Sequence, residues 1–275
     1  MKLKCELIVS DFDGTLANSE NTVDDKVVAA INRYVDAGGI FAVCTGRILP
    51  SVLPRVRALG LKGLVVGCQG SVIADIESGK IIRDVALSGA QTAEVCAFLE
   101  ELGAPVNIYF SDGLYSNIEE GNIHLRKYEE ITGVKALHTK KPLSVFAREC
   151  GKSFNKVAVL CAPKDREELY KKISARFSEK YDVTCSAQVL IEISPAGETK
   201  GAALKYLADH YKIPVEKTCA VGDNLNDLSM LLAAGYGVAV GNACEELKRR
   251  APYITVTNDE GAVGRVIEEF GFSDD

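Results

Sequence analysis

The sequence predicts an α/β protein: a doubly wound parallel sheet whose chain is interrupted by an inserted α+β domain. Three observations carry this expectation. Apolar strand-like runs alternate with helical periodicity at both ends of the chain, the pattern of a parallel sheet covered on both faces. Residues 84–188 differ in texture: their strand-like runs ("PVNIYFSDGLYSN", "NKVAVLCA", "VTCSAQVLIEIS") admit polar residues, and their helices carry more charge. Polar side chains also recur directly behind the apolar runs, where open parallel sheets bind ligands.

Taken in order, "ELIVS" is the first strand. Val23, Val27, Ile31, Tyr34 and Val35 then share one helical face, with Thr22 and Asp25 placed as a capping box and Gly38 as the stop. "GIFAVC" is a second strand, "LPSVLPRVRALG" a helix and "GLVVG" a third strand. Inside the insertion, "GAQTAEVCAFLEELG" and "KDREELYKKISARFSEKY" read as helices. The alternation resumes with helix "KGAALKYLADHYK", strand "TCAVG", helix "LNDLSMLLAA", strand "GVAV", helix "ACEELKRRA" and a last helix near "AVGRVIEEF". The expected division is therefore 1–83 with 189–275 as one domain and 84–188 as the other. No repeat or low-complexity tract interrupts it.

Composition narrows the function classes. The chain has 275 residues, 47% hydrophobic and 25% charged, ample for a buried core. A net charge of −6 with no dense Lys/Arg cluster argues against nucleic acid as a partner, because phosphate backbones demand basic surface. No 18-residue apolar window is present, and the apolar run in "MKLKCELIVSDFDG" is too short for a signal peptide, so no membrane and a cytoplasmic location are expected. Oligomeric state leaves no readable trace. The nine cysteines show no C-x-x-C and read as reduced thiols, with Cys44 and Cys219 inside apolar runs. His124, His138 and His210 lie far apart and read as surface residues.

The first strand ends on two carboxylates, Asp11 and Asp13, in "LIVSDFDGTLANSENT". A calcium loop fails here, since Leu16 stands where it needs glycine and Thr22 where it needs glutamate. A simple polar turn at Asp13-Gly14 would account for this string alone. It does not account for the recurrence: Thr45, Gly46 and Arg47 follow the second strand, and Asp223, Asn226 and Asp227 follow "TCAVG". Lys200 adds a broken local rule. It opens a helix in "SPAGETKGAALKYL", where the helix dipole disfavours a cation. A bound phosphate would reconcile the two, since helix terminus and lysine both attract anions; the plain alternative is a lysine reaching into solvent.

Together these residues resemble the haloacid dehalogenase-like phosphatase superfamily, whose four motifs appear in order: "DFDGT", "TGR" with Thr45, Lys200, and "GDNLND" with Asp223 and Asp227. The large insertion between the second and third motifs resembles the Cof-like branch with a C2-type cap, of the C2B kind. "GDNLNDLSML" and "VAVGNACEELKRRAPYITVTNDEGAV" resemble that branch along the C-terminal third. Two departures stand out. "CQGS" puts Gln69 where the branch commonly has the asparagine of an Asn-Gly-Ala turn, and "GETKG" replaces the frequent Gly-Val-Ser-Lys-Gly.

The resemblance implies a magnesium-dependent phosphatase of small phosphorylated metabolites, sugar phosphates or phosphorylated cofactors, working through an aspartyl-phosphate. It implies Asp11 as nucleophile and Asp13 as general acid and base. It further implies Asp11, the Asp13 backbone carbonyl and Asp223 as magnesium ligands; Phe12, Thr45, Gly46, Lys200 and Asn226 as phosphate-binding residues; and Asp227 as an orienting group behind them. The chemistry is consistent: a carboxylate attacking a phosphate dianion needs cations to offset both charges, here magnesium and Lys200. Tyr115, His124 and Arg126 are candidate substrate contacts on the cap. A phosphomutase or phosphotransferase using the same intermediate, and a non-catalytic metabolite-binding module, are the alternatives.

Overall fold

In the computed structural model, which describes residues 2–187 and 189–273, the described strands form two sheets. The first takes β1 (Leu7–Ser10), β2 (Ile40–Cys44), β3 (Leu64–Gly67), β4 (Val72–Asp75) and β5 (Ile81–Asp84) from the start of the chain. The chain then builds the second sheet from β6 (Val106–Phe110), β7 (Gly113–Ser116), β8 (Leu137–His138), β9 (Lys156–Leu160), β10 (Tyr181–Ala187) and β11 (Leu190–Pro195). It returns to the first with β12 (Thr218–Gly222), β13 (Tyr236–Ala239) and β14 (Tyr253–Ile254).

The first sheet has the order β14-β13-β12-β1-β2-β3-β4-β5. From β14 to β3 all pairs are parallel, and β1, β2, β3 and β12 are buried along nearly their whole length, which is why they read as continuous apolar runs. β4 and β5 extend the sheet antiparallel, a hairpin not foreseen in the sequence. Strand order reverses at β1, which has β12 on one side and β2 on the other, in the register Ser10 to Val221 and Ser10 to Val43. The crevice at such a reversal is where ligands enter doubly wound sheets.

The second sheet, in the order β10-β11-β9-β6-β7-β8, is antiparallel except for β7 with β8. Its strands alternate with period two. Val106, Ile108, Val157, Val159, Ile191 and Ile193 form one core with Val95, Leu99 and Phe177 of the helices Gly89–Glu101 and Arg166–Phe177. Tyr109, Leu114 and Ala158, on the opposite face, join the core of the first sheet. The inserted sheet thus seats directly on the core of the first sheet.

The expected end of the insertion at 188, like residues 1, 274 and 275, lies outside the described residues. β11 beyond it still belongs to the second sheet, so the return to the first sheet comes after Pro195 rather than at 189. The hairpin pairing of β10 with β11 explains the shift. A second difference concerns the first helix, Asp25–Asp36: Asp24 is its cap, accepting from the Lys26 N–H at 2.7 Å, while Thr22 is tied to the Asn18 side chain instead of forming the expected box with Asp25. The nine cysteines carry free thiols, and among the described residues no helix is long and apolar enough to cross a membrane.

Candidate active site

Asp11 directly follows β1, and its N–H extends the ladder to the Val221 carbonyl at 2.9 Å. The chain then closes a tight turn over Phe12–Leu16. Gly14 is required in it: φ is +74°, and a Cβ there would lie 2.8 Å from an Asp223 carboxylate oxygen. Glycine lets the loops after β1 and β12 touch.

Lys200 opens the helix Lys200–Tyr211 behind the cap residue Thr199, whose hydroxyl accepts from the Ala202 N–H at 3.2 Å. Only 1% exposed, Lys200 does not reach solvent. Its Nζ donates to Asp11 Oδ1 at 2.7 Å and to Asp227 Oδ1 at 2.5 Å. Asp227 Oδ2 accepts from the N–H groups of Asp223 and Asn224, both at 3.0 Å, so both Asp227 oxygens are engaged. Asp223 accepts from Thr15 Oγ1 at 3.0 Å.

Three carboxylates crowd one lysine. Burial, with the charge of Asp227 added, raises the Asp11 pKa well above the carboxylate range despite Lys200. Asp223 is pushed up to about 6 by burial and by Asp227, with Lys200 and the Thr15 bond opposing. Burial opposes the charge on Lys200, yet Asp11 and Asp227 outweigh it and hold the ammonium above its ordinary pKa. Oxygens of Asp11, Asp223 and Asp227 lie within 4.8 Å of one another, a hard-oxygen set fitting a divalent cation such as magnesium. Since Asp227 already spends its oxygens on Lys200 and two backbone donors, Asp11 and Asp223 are the pair with capacity for the ion.

Asp13 points away from this cluster, its side chain 44% exposed, into a bidentate pair with Arg47 at 2.7 and 2.6 Å. Arg47 and Arg55 also donate to the Ile131 carbonyl, at 3.2 and 2.9 Å, where the inserted helix Ile123–Thr132 ends. Phe12 lies beneath both guanidiniums and is buried, so any contact with a phosphoryl group would come from its backbone.

The loop after β2 completes the rim. Thr45 Oγ1 accepts from the Arg47 N–H at 3.2 Å, and the Thr45 carbonyl accepts from Gln69 at 3.1 Å. Gln69 Oε1 accepts from the Asn226 amide at 3.0 Å, which brings the ends of β2, β3 and β12 together. The cap candidates fare differently. Tyr115 packs in the insertion's own core, 4.3 Å between ring centroids from Phe146, and His124 and Arg126 are exposed, while Tyr128 of the same helix joins the core of the first sheet.

Sequence reasoning gave no role to Thr15, Arg47 or Gln69, although all three stand in the quoted strings. It also passed over Lys156 and Glu192, buried charges in apolar strands. Their signal was the alternation itself, which places Lys156 with Ala158 and Glu192 with Ser194 on one face.

Comparison with known proteins agrees with this architecture. Phosphatase YwpJ of Bacillus subtilis is 31% identical over 96% of this chain and 99% of its own. The 5-amino-6-(5-phospho-D-ribitylamino)uracil phosphatase YwtE of the same organism is 30% identical over 97% and 98%. The solved structure of a haloacid dehalogenase-like hydrolase from B. subtilis superposes with a TM-score of 0.86 at 28% identity, covering 96% of this chain and 99% of that one. The haloacid dehalogenase-like hydrolase profile matches residues 8–267. With its parallel sheet, inserted cap and these relatives, the chain belongs to the haloacid dehalogenase-like hydrolases, in their Cof-like branch.

Proposed function

We propose that the protein is a magnesium-dependent phosphatase that hydrolyses small phosphorylated metabolites through an aspartyl-phosphate on Asp11. The observation that carries the reading is the buried Lys200 bridging Asp11 and Asp227 beside Asp223, at the strand-order reversal. Taking this lysine and two carboxylates out of water, beside a third that is half-buried, is costly, and a site that handles phosphate charge accounts for gathering them there.

Asp11 and Asp223 through their carboxylates, with the backbone carbonyl of Asp13, are the residues that would hold magnesium, and the ion supplies positive charge against the phosphate dianion. Lys200 keeps Asp11 in place and offsets the charge gathered on the phosphoryl oxygens. Thr45, the backbone of Phe12 and Gly46, and Asn226 donate to those oxygens. Asp227 orients Lys200 from behind.

In the first step Asp11 attacks phosphorus, the bond to the leaving oxygen breaks, and Asp13 gives that oxygen a proton. In the second, Asp13 takes a proton from water as the water attacks phosphorus, and Asp11 departs as carboxylate. Donating a proton requires Asp13 to give up its pair with Arg47. Segment 84–195 acts as the cap, closing over the crevice and excluding bulk water. The named activity of YwtE makes phosphorylated ribityl compounds sensible members of a substrate panel beside sugar phosphates.

The test is phosphate release from such a panel, with and without magnesium, for wild type and Asp11→Asn. Magnesium-dependent release by the wild type alone is expected. A phosphorylated acceptor formed from an added alcohol, with no free phosphate released in its absence, would make the protein a phosphotransferase, and binding without turnover would make it a metabolite-binding module.

A further inference from the structure

A second buried ion pair lies outside the carboxylate cluster. Lys156 on β9 and Glu192 on β11, 5% and 1% exposed, form it on neighbouring strands of the inserted sheet. Two charges taken out of water are tolerated when their remaining hydrogen-bonding capacity is met. Here that capacity is met across the junction with the first sheet. Lys156 Nζ donates to the Gly46 carbonyl at 2.7 Å, and Glu192 Oε2 accepts from Gln69 Nε2 at 2.6 Å.

Both contacts converge on groups that the phosphatase reading assigns to the phosphoryl oxygens. The Gly46 carbonyl belongs to the Gly46–Arg47 peptide, whose N–H donates to Thr45 Oγ1. Fixing the carbonyl therefore fixes that N–H, and the Thr45 hydroxyl, accepting there, must aim its own proton elsewhere. Glu192 holds one end of Gln69, while the other end accepts from one of the two amide hydrogens of Asn226 and leaves the second available. Gln69 presses close on the loop: a Cβ on Gly46 would lie 2.6 Å from Gln69 Nε2. Cys68 and Gln69 hold left-handed φ values of +50° and +62°, a conformation non-glycine residues keep when their surroundings fix it.

We infer that Lys156 and Glu192 are positioning residues for phosphoryl transfer: the inserted domain supplies a buried ion pair that fixes Gly46 directly, Thr45 through the Gly46–Arg47 peptide and Asn226 through Gln69. The inference rests on the phosphatase reading. It makes the base of the cap part of the phosphoryl-binding scaffold, in addition to a cover over it.

Lys156→Met alone leaves Glu192 buried without the Lys156 cation, so the informative variant is the double Lys156→Met/Glu192→Leu, which replaces the pair by apolar side chains. Gln69→Leu cuts only the arm to Asn226. The readouts are thermal melting, kcat and KM for phosphate release, and affinity for orthovanadate, which imitates the five-coordinate phosphorus of the transition state. The double variant is expected to melt cooperatively, with KM little changed, kcat lower by roughly tenfold or more, and vanadate bound correspondingly more weakly. Gln69→Leu is expected to show a smaller loss of the same kind, and it carries the test if the double variant does not fold. A folded variant whose kcat and vanadate affinity stay within about twofold of wild type overturns the inference, because loss of a merely structural pair lowers melting without changing the chemistry. An active wild type with unaffected variants defeats this inference alone; a wild type inactive on every substrate defeats the phosphatase reading and this inference with it.

Discussion

At the residue scale, the account depends on a few buried charges. Asp11→Asn keeps the size of the side chain but removes the proposed nucleophile, so turnover should vanish while the fold persists; steady-state assay beside a melting curve checks both. Lys200→Ala should lower kcat by about 10²–10³-fold, the usual loss when a group aimed at transition-state charge is removed. It also leaves Asp11 and Asp227 buried without their cation, which should cost stability of about 3–5 kcal/mol in denaturant titration. Asp223 supplies a pH dependence. Its pKa in the folded protein, about 6, lies above the ordinary value of 3.8, so between these values the folded state binds more protons than the unfolded. Without divalent metal, the contribution of Asp223 to stability is therefore fully present below about pH 4 and is lost as pH rises through about 6. Melting of wild type against Asp223→Asn across that window isolates the effect, since the variant lacks this slope. Asp11, Asp13, Thr45, Lys200, Asp223 and Asp227 could be picked out in the sequence because each stands at the end of an apolar run or breaks a local helix rule. Lys156 and Glu192 could not, because a charge within a strand acquires meaning only when a partner arrives from another sheet.

At the element scale, local chemistry and tertiary context divide the work. The parallel strands were legible because burial on both faces leaves unbroken apolar runs such as "LIVS" and "TCAVG". The hairpin of β4 and β5 was not: β5 reads "IIRD", is largely exposed, and carries no period that marks a strand. The cap of the first helix was misplaced for a related reason, since Asn18 captures Thr22 and leaves the role to Asp24. Helix Lys200–Tyr211 joins the element to the chemistry, because its first turn carries the lysine. Thr199→Ala removes the bond to the Ala202 N–H and should cost about 1 kcal/mol in equilibrium unfolding. A loss of activity beyond that of the folded fraction would show that the cap also sets the position of Lys200.

At the scale of the whole molecule, one insertion seats a second sheet on the core of the first. The texture change near residue 84 was visible because half-buried antiparallel strands mix polar and apolar residues, whereas the return point was hidden by a β10–β11 hairpin that reads as one continuous strand region. Arg47 and Arg55, reaching from the first sheet to the Ile131 carbonyl, tie cap to core beside Asp13. Metal binding should be felt by the entire fold, since Asp11 and Asp223 belong to the loops after two paired strands, β1 and β12, that are far apart in the chain. Magnesium at a hundred times its dissociation constant should stabilise the protein by about 2.7 kcal/mol, read as a rise in melting temperature that Asp223→Asn abolishes.

The central claim is a covalent phosphoryl group on Asp11. The direct measurement is an acid quench of the protein turning over a radiolabelled phosphate monoester, followed by peptide mapping of the acid-stable, base-labile label. Label on the peptide containing Asp11, absent from Asp11→Asn, is the predicted result. Release of labelled phosphate by an Asp11→Asn protein at the wild-type rate would contradict the account, because water would then attack the substrate without an aspartyl intermediate.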